Sequence, residues 1–443
     1  MATLSATTSG LSEAEHNRQL RRALLASTVG TTIEWYDFLL YGTVTGLVFG
    51  KVFFPGSSPL IGVLQAFGVF FIGFVGRPIG AAIFGHYGDR IGRKATLIAT
   101  LVITGFATIA VGVVPGYDTI GIWGAVLLTL IRLIQGIGVG GEWGGSVLLA
   151  MEWAQTNKHR GFIASWPQFG APAGFFLANS AVLLFSWLSG DQFLVWGWRI
   201  PFLISIVMVG VGLWIRLGIL ETPVFQKILE EERIESVPVL EVLRRQPKQI
   251  LLTALLRLPE QAPGYVFGAF IFTYGTSVLG QSRDFLLWGV IASTVLGFLW
   301  VTCAGYLSDV IGRKRMYMTG CVIMGIFAFV YFAMLDTLVP TVIFIAIAIS
   351  GVPVMTLYGP EAALIAESFS PRLRYSGASL GYQLASVIAG GPAPFIATAL
   401  FARYHSSLPI AIYILMCAII GIVATALLTD YTNKEISAEY ESV

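Results

Sequence analysis

Nine ionisable side chains fall inside long apolar runs of this sequence: Glu34, Asp37, Arg77, Arg132, Glu142, Arg199, Arg257, Glu260 and Glu361. An ionised group at the centre of a bilayer costs about 2.5–3.5 kcal/mol on insertion scales. Unrelieved, nine of them would exceed a whole folding stability of about 5–15 kcal/mol, so they must face a wet cavity or one another. Glu34 and Asp37, in TTIEWYDFLLYG at 31–42, stand three residues apart and share one helix face, with Tyr41 a further turn along. A carboxyl group in a poorly solvated site holds its proton more tightly, and a like charge nearby pushes the same way. Such a pair can load a proton on one side of a membrane and release it on the other. Glu34 and Asp37 are therefore the candidate proton-coupling residues, Asp37 first; the alternative is a permanent ion pair with an arginine.

The remaining charges divide by neighbourhood. The Arg132 guanidinium can bind a carboxylate bidentately, or hold an acid of the first helix until a proton frees it. RLPEQAPGY at 257–265 sets Arg257 and Glu260 on one face, beside two prolines that interrupt the helix and free backbone groups toward a cavity. With Gln261 and Tyr265 it reads as substrate contact, against an internal Arg–Glu pair. Glu142, in GGEWGG, is a third coupling candidate or a structural acid between closely packed helices. Arg77, before Pro78, and Arg199, beside Trp198, read as anchors, the second snorkelling to an interface. Tyr41, Trp143, Gln168 and Gln383 are candidate cavity-lining residues, and Trp166, Asn179 and Tyr358 fit either a cavity or helix packing.

The elements that position these groups follow from composition. With 56% hydrophobic and only 12% charged residues, and a mean hydropathy of +0.77, the chain is not a soluble globular protein, where about a quarter of residues carry charge. Stretches of about 20 apolar residues, enough to cross a bilayer, occur at 24–54, 59–86, 96–115, 120–152, 161–188, 197–217, 249–280, 285–308, 316–335, 340–366, 375–402 and 408–430. Lys and Arg crowd alternate joints, from Arg18, Arg21 and Arg22 through Arg90, Arg93 and Lys94 to Lys434; the other joints keep Lys51, Arg283 and Arg403. That asymmetry predicts twelve transmembrane helices with both termini in the cytoplasm. A mixed-charge stretch at 219–248 reads as a cytoplasmic linker between six-helix bundles at 1–218 and 249–443. No basic tract suits nucleic acid. The three cysteines sit at irregular spacing and the four histidines are scattered, so neither a metal site nor an enzyme's catalytic cluster is expected.

The two halves repeat each other. GHYGDRIGRK at 85–94 returns as GYLSDVIGRK at 305–314, an offset of 220 residues from Asp89 to Asp309. Glu142 in GGE aligns with Glu361 in GPE, Glu152 with Glu367, Arg160 with Arg374, and Glu34 with Glu260. Two such repeats around a midplane site are the architecture of secondary transporters.

The paired loops resemble the signature loop of the major facilitator superfamily. That resemblance implies a cytoplasmic charge latch formed by Asp89, Arg90, Arg93, Asp309 and Arg313, with Glu152 and Glu367 as partners; Val310 in place of Arg90 implies a weaker second latch. IEWYDFLLYG at 33–42, RPIGAAIFGHYGDRIGRK at 77–94, RLIQGIGVGGEWGG at 132–145, GWRIPF at 197–202, LETPVF at 220–225 and RYSGASLGYQ at 374–383 resemble the metabolite:proton symporters of that superfamily. Known members carry shikimate, 2-oxoglutarate, citrate, proline or betaine, and GGEWGGSVLL with SWPQFGAPAG at 165–174 is most similar to the shikimate and aromatic-acid branch. The expectation is an all-α, multi-pass protein of the bacterial inner membrane, monomeric and without cofactor. It would import a small organic acid with protons by alternating access. A zwitterion carrier for betaine or proline, and an uncoupled facilitator or channel, are the alternatives.

Overall fold

The structure, a computed structural model, describes residues 13–153, 159–218, 238–370 and 373–432. In hydrocarbon every backbone N–H and C=O must find its partner within the chain, and all regular structure among these residues is helical. The first half contains α1 (Glu13–Val44), α2 (Pro59–Ile91), α3 (Arg93–Val113), α4 (Trp123–Gly140), α5 (Glu142–Trp153), α6 (Arg160–Ser189) and α7 (Arg199–Leu217). The second contains α8 (Pro238–Arg245), α9 (Pro247–Leu256), α10 (Leu258–Tyr265), α11 (Ile271–Ser277), α12 (Arg283–Ile311), α13 (Arg313–Leu335), α14 (Pro340–Ile349), α15 (Gly351–Glu367), α16 (Arg374–Ala385), α17 (Pro392–Tyr404) and α18 (Leu408–Leu427).

Ten helical stretches among the described residues are long and apolar enough to cross a membrane. The expected first and seventh spans, 24–54 and 249–280, are not among them. The first carries a charged N-terminal extension and the two acids, and the seventh is broken into α9, α10 and α11. Both contain a π-helical turn, at Thr45–Phe49 and Val266–Phe270, 221 residues apart. A π turn widens the helix and disturbs its backbone bonding, so the repeat extends to the same irregularity in each half. The signature loops match as well: Gly92 and Gly312, with φ of 105° and 96°, take a left-handed conformation that glycine adopts without strain, and each turns one helix directly into the next. Of the expected linker, residues 219–237 lie outside the described set, and α8 packs its buried Val242 inward.

Close helix contacts fix where the buried charges sit. Within the first half, α2 and α4 meet backbone to backbone: a Cβ on Gly136 would collide with the Gly73 carbonyl, and one on Gly80 with that of Ile137. Between the halves, α6 lies along α12 and α2 along α16, so the chain's N- and C-terminal parts close on a common seam. Arg199 is anchored through backbone carbonyls: its Nη1 donates to those of Gly112 (3.1 Å) and Val114 (2.6 Å) at the end of α3, where a helix carries partial negative charge.

Candidate functional site

A cavity of about 90 Å³ lies on the seam. The first half contributes Trp35, Leu39 and Phe175 to its wall, and the second contributes Glu260, Gln261, Tyr265 and Tyr358. Of the residues expected to touch cargo, Glu260, Gln261 and Tyr265 line it. Trp143, Gln168 and Gln383 instead tie the halves together. The Trp143 ring stacks on Tyr382 with centroids 3.7 Å apart and donates to Gln168 Oε1 at 2.9 Å. Gln168 in turn donates to the Tyr358 carbonyl at 3.1 Å, and Gln383 to that of Gly140 at 3.3 Å. Asn179 binds the Phe175 carbonyl and Thr43, while Trp166 is exposed on the outer surface of α6.

Directly behind the cavity wall, Arg257 is fully buried and holds two acids. Its Nε is 2.5 Å from Glu361 Oε1 and its Nη2 is 3.1 Å from Glu260 Oε2, while Nη1 donates to the Tyr382 carbonyl at 2.7 Å. Gln261 binds Glu260 at 2.8 Å, and the Tyr317 hydroxyl reaches Glu361 Oε2 at 3.4 Å. Of the two readings the sequence left open for Arg257, the internal Arg–Glu pair is the geometry observed.

The first half is arranged differently. Glu142 pairs with Arg216 and accepts from Thr100 (2.8 Å) and Ser146 (3.0 Å), which leaves its carboxylate saturated. Asp37 is fully buried; its Oδ1 accepts from Ser205 at 2.6 Å, and its Oδ2 has no partner among the described residues. Glu34 is also buried with Oε2 unpartnered among them; Gly30, one turn before it, packs against the Arg216 guanidinium. Neither acid lines the cavity in this state. Arg132 donates to the Gln135 side chain, and Gln135 donates to the Asp37 carbonyl at 3.4 Å. Yet Arg132 and Asp37 make no ion pair, nor do Arg77 and Glu34. Among the described residues seven carboxyls are buried, on Glu34, Asp37, Glu142, Glu260, Asp309, Glu361 and Glu367, against seven guanidiniums, on Arg77, Arg132, Arg160, Arg216, Arg257, Arg313 and Arg374.

Polar contacts bridge the halves at both ends of the seam. At the basic end, Arg160 of the first half meets Glu367 of the second at 2.9 Å. Arg313 lies 2.9 Å from the same carboxylate and 3.1 Å from Asp309; both are ion pairs by distance rather than aligned hydrogen bonds. The two oxygens of Asp309 accept from the Gly161 and Phe162 N–H groups at 2.9 Å each, a carboxylate seated on the N-terminus of α6. Arg90 contacts His86 at 3.2 Å; the side chains of Asp89, Arg93 and Glu152 lie outside the described residues. At the other end, Arg283 of the second half donates to Ser186 of the first at 2.7 Å, and Ser186 donates to Asp284 at 2.8 Å.

The family model described as sugar (and other) transporter matches residues 23–252, and that described as MFS/sugar transport protein matches residues 145–373. The chain belongs to the major facilitator superfamily. Curated relatives of this facilitator include the shikimate transporter of Escherichia coli K12, 41% identical, with 93% of this chain and 94% of that protein aligned. The inner membrane metabolite transport protein YhjE of the same strain is 39% identical at the same coverages, and the proline/betaine transporter of that strain is 32% identical over 94% and 85%. The solved structure of the proton:xylose symporter XylE bound to 6-bromo-6-deoxy-D-glucose superposes with a TM-score of 0.75 at 20% identity, covering 95% of this chain and 98% of that one. It shares the fold. This facilitator is thus a multi-pass inner-membrane transporter and not an enzyme.

Sequence reasoning missed two of the facilitator's arginines. Arg216 and Arg160 stand where spans end, and although the repeat aligns Arg160 with Arg374, their partners become visible only once Glu142 and Glu367 are brought alongside. Tyr382, stacked on Trp143 and lying under Arg257 with the guanidinium carbon 3.2 Å from its ring centre, lies within the RYSGASLGYQ motif, which by itself gives it no individual role.

Proposed function

We propose that this facilitator imports a small organic acid together with protons, and that Asp37 is the main proton carrier, with Glu34 second. The observation that carries the reading is the separation of Asp37 from Arg132. Gln135 links the Arg132 side chain to the backbone carbonyl of Asp37, yet the Asp37 carboxyl rests on a neutral Ser205 hydroxyl and the guanidinium on a neutral amide. That is the arrangement favoured when the acid is protonated, because an ionised buried carboxylate is strongly drawn to an available cation. Access to Asp37 belongs to the open states of the cycle; in the closed state its carboxyl is sealed off. The 41% identical shikimate transporter favours an organic acid over a zwitterion as cargo. The cavity lies inside one chain, so the scheme needs no second subunit, and the proton gradient replaces any cofactor.

Reconstituted in liposomes with a pH-sensitive dye inside, the protein should acidify the interior when shikimate is added outside. Acidification by glycine betaine or proline and not by shikimate would move the assignment to a zwitterion; uptake with no acidification would remove the coupling.

The charge cluster at the basic end acts as the cytoplasmic latch. Arg160→Gln should weaken the only described ion pair there that joins the halves directly, between Arg160 and Glu367. In a protein whose cysteines are replaced by serine and which carries Ser308→Cys on the seam, Arg160→Gln should raise the labelling rate by a water-soluble maleimide several-fold. An unchanged rate would place the latch elsewhere.

A further inference from the structure

Buried donors without acceptors collect around one aromatic cage. The Arg77 guanidinium carbon lies 3.8 Å from the centre of the Phe38 ring, and so does that of Arg132. The two guanidiniums therefore lie no more than twice 3.8 Å apart. Neither makes an ion pair among the described residues, and Arg77 reaches only the Ser386 hydroxyl, at 3.4 Å. Arg77 Nε, Arg132 Nε and Nη2, and the hydroxyls of Tyr41 and Tyr265 are all buried without a hydrogen-bond partner among the described residues. Arg132 also sits over Tyr41, 4.2 Å from its ring centre. Tyr265 lines the cavity and packs on Phe74 and Phe70 at 5.1 and 5.8 Å between centroids, forming the partition between cavity and cage. Stacking on rings is a weak substitute for the acceptors a desolvated guanidinium needs. By contrast Arg257, the other arginine next to the cavity, has its donors committed to two acids and a carbonyl.

We infer that Arg77 and Arg132 form a two-guanidinium receptor for the carboxylate of the cargo, with Tyr41 and Tyr265 as additional donors. The inference rests on the organic-acid reading above and adds which residues recognise the acid. The chemistry matches on every side. A carboxylate has about four lone-pair positions, and charge-assisted bonds of about 2.7–2.9 Å from the two guanidinium forks satisfy them once the Phe38 ring, on which both now stack, turns aside. Tyr265 moves aside as the cargo's carboxylate enters the cage, while the rest of the molecule stays in the cavity against Trp35 and Tyr358. The arrangement also ties cargo to the proton: Arg132 is free for the cargo's carboxylate only while Asp37 does not claim it.

The test is the ratio of two competitors of labelled shikimate uptake in proteoliposomes, unlabelled shikimate and its carboxamide. Wild-type protein should prefer the carboxylate strongly. Arg77→Gln and Arg132→Gln should each raise the KM for shikimate about tenfold or more and level the preference between acid and amide, a readout that a structural role would not move. Arg77→Lys, which keeps the charge but loses the fork, should retain part of the preference and serves if the Gln variants accumulate poorly. Shikimate uptake with KM and preference unchanged in Arg77→Gln overturns the receptor while leaving the organic-acid reading intact. Wild-type protein that takes up no carboxylate at all overturns both.

Discussion

Asp37→Asn should yield a carrier that still exchanges labelled for unlabelled cargo but no longer accumulates it against a gradient. The replacement is nearly isosteric, and its amide oxygen can still accept from Ser205, which now donates to Oδ1 at 2.6 Å. What disappears is the ability to exist in two charge states. With one proton moved per anion, each unit of pH difference supports about a tenfold concentration ratio of cargo, because a pH unit is worth about 1.36 kcal/mol. The wild-type protein should approach that ratio in liposomes with an imposed pH gradient, and the variant should stop at equal concentrations inside and out. Exchange survives because it requires only that loaded carriers reorient, which a permanently neutral residue at 37 permits. Uphill accumulation by the variant would take Asp37 out of the coupling role and leave Glu34 to be tried in the same way.

The parts of this structure that were legible in the sequence are those encoded locally or by repetition. GDRIGRK and SDVIGRK each place a glycine where two helices join by a left-handed turn, and both turns are present, at Gly92 and Gly312. Apolar length located ten of the helices, and the prolines of RLPEQAPGY marked the break between α9 and α10. What was hidden is the partner choice of each buried charge. Glu142 and Glu361 are aligned by the repeat, but one pairs with Arg216, 74 residues ahead, and the other with Arg257, 104 residues behind. Which arginine an acid meets depends on the rotation of each helix and on how closely its neighbours approach, and that is set by contacts such as Gly136 against Gly73. Spacing along one helix carries none of this. Glu34 and Asp37 illustrate the limit. Their three-residue spacing does put both inside the first half, yet one lies toward the Arg216 side and the other beside Ser205. The same limit explains why Arg77, read as an anchor beside Pro78, proved to be one of two guanidiniums stacked on Phe38 without an acid.

Arg257 offers the sharpest contrast between a binding and a structural role. Among the described residues its guanidinium is the only cation within ion-pair reach of Glu260 and Glu361, and both acids are buried. Removing one partner of a buried pair typically costs about 3–5 kcal/mol, because the other charge is left uncompensated, and here two are left. Arg257→Met should therefore reduce the folded, monodisperse protein recovered in detergent and lower its melting temperature sharply, whether or not cargo is present. The variant that joins Arg257→Met with Glu361→Gln should recover part of that loss, since it removes one of the two stranded charges and keeps an acceptor for Tyr317. A double variant more stable than Arg257→Met alone is the signature of an ion pair that holds α10 to α15. The opposite result would be Arg257→Met melting normally while its KM for the cargo rises. Arg257 would then be a cargo ligand that merely rests on the two glutamates in the closed state, and the carboxylate receptor would extend across the seam into the second half.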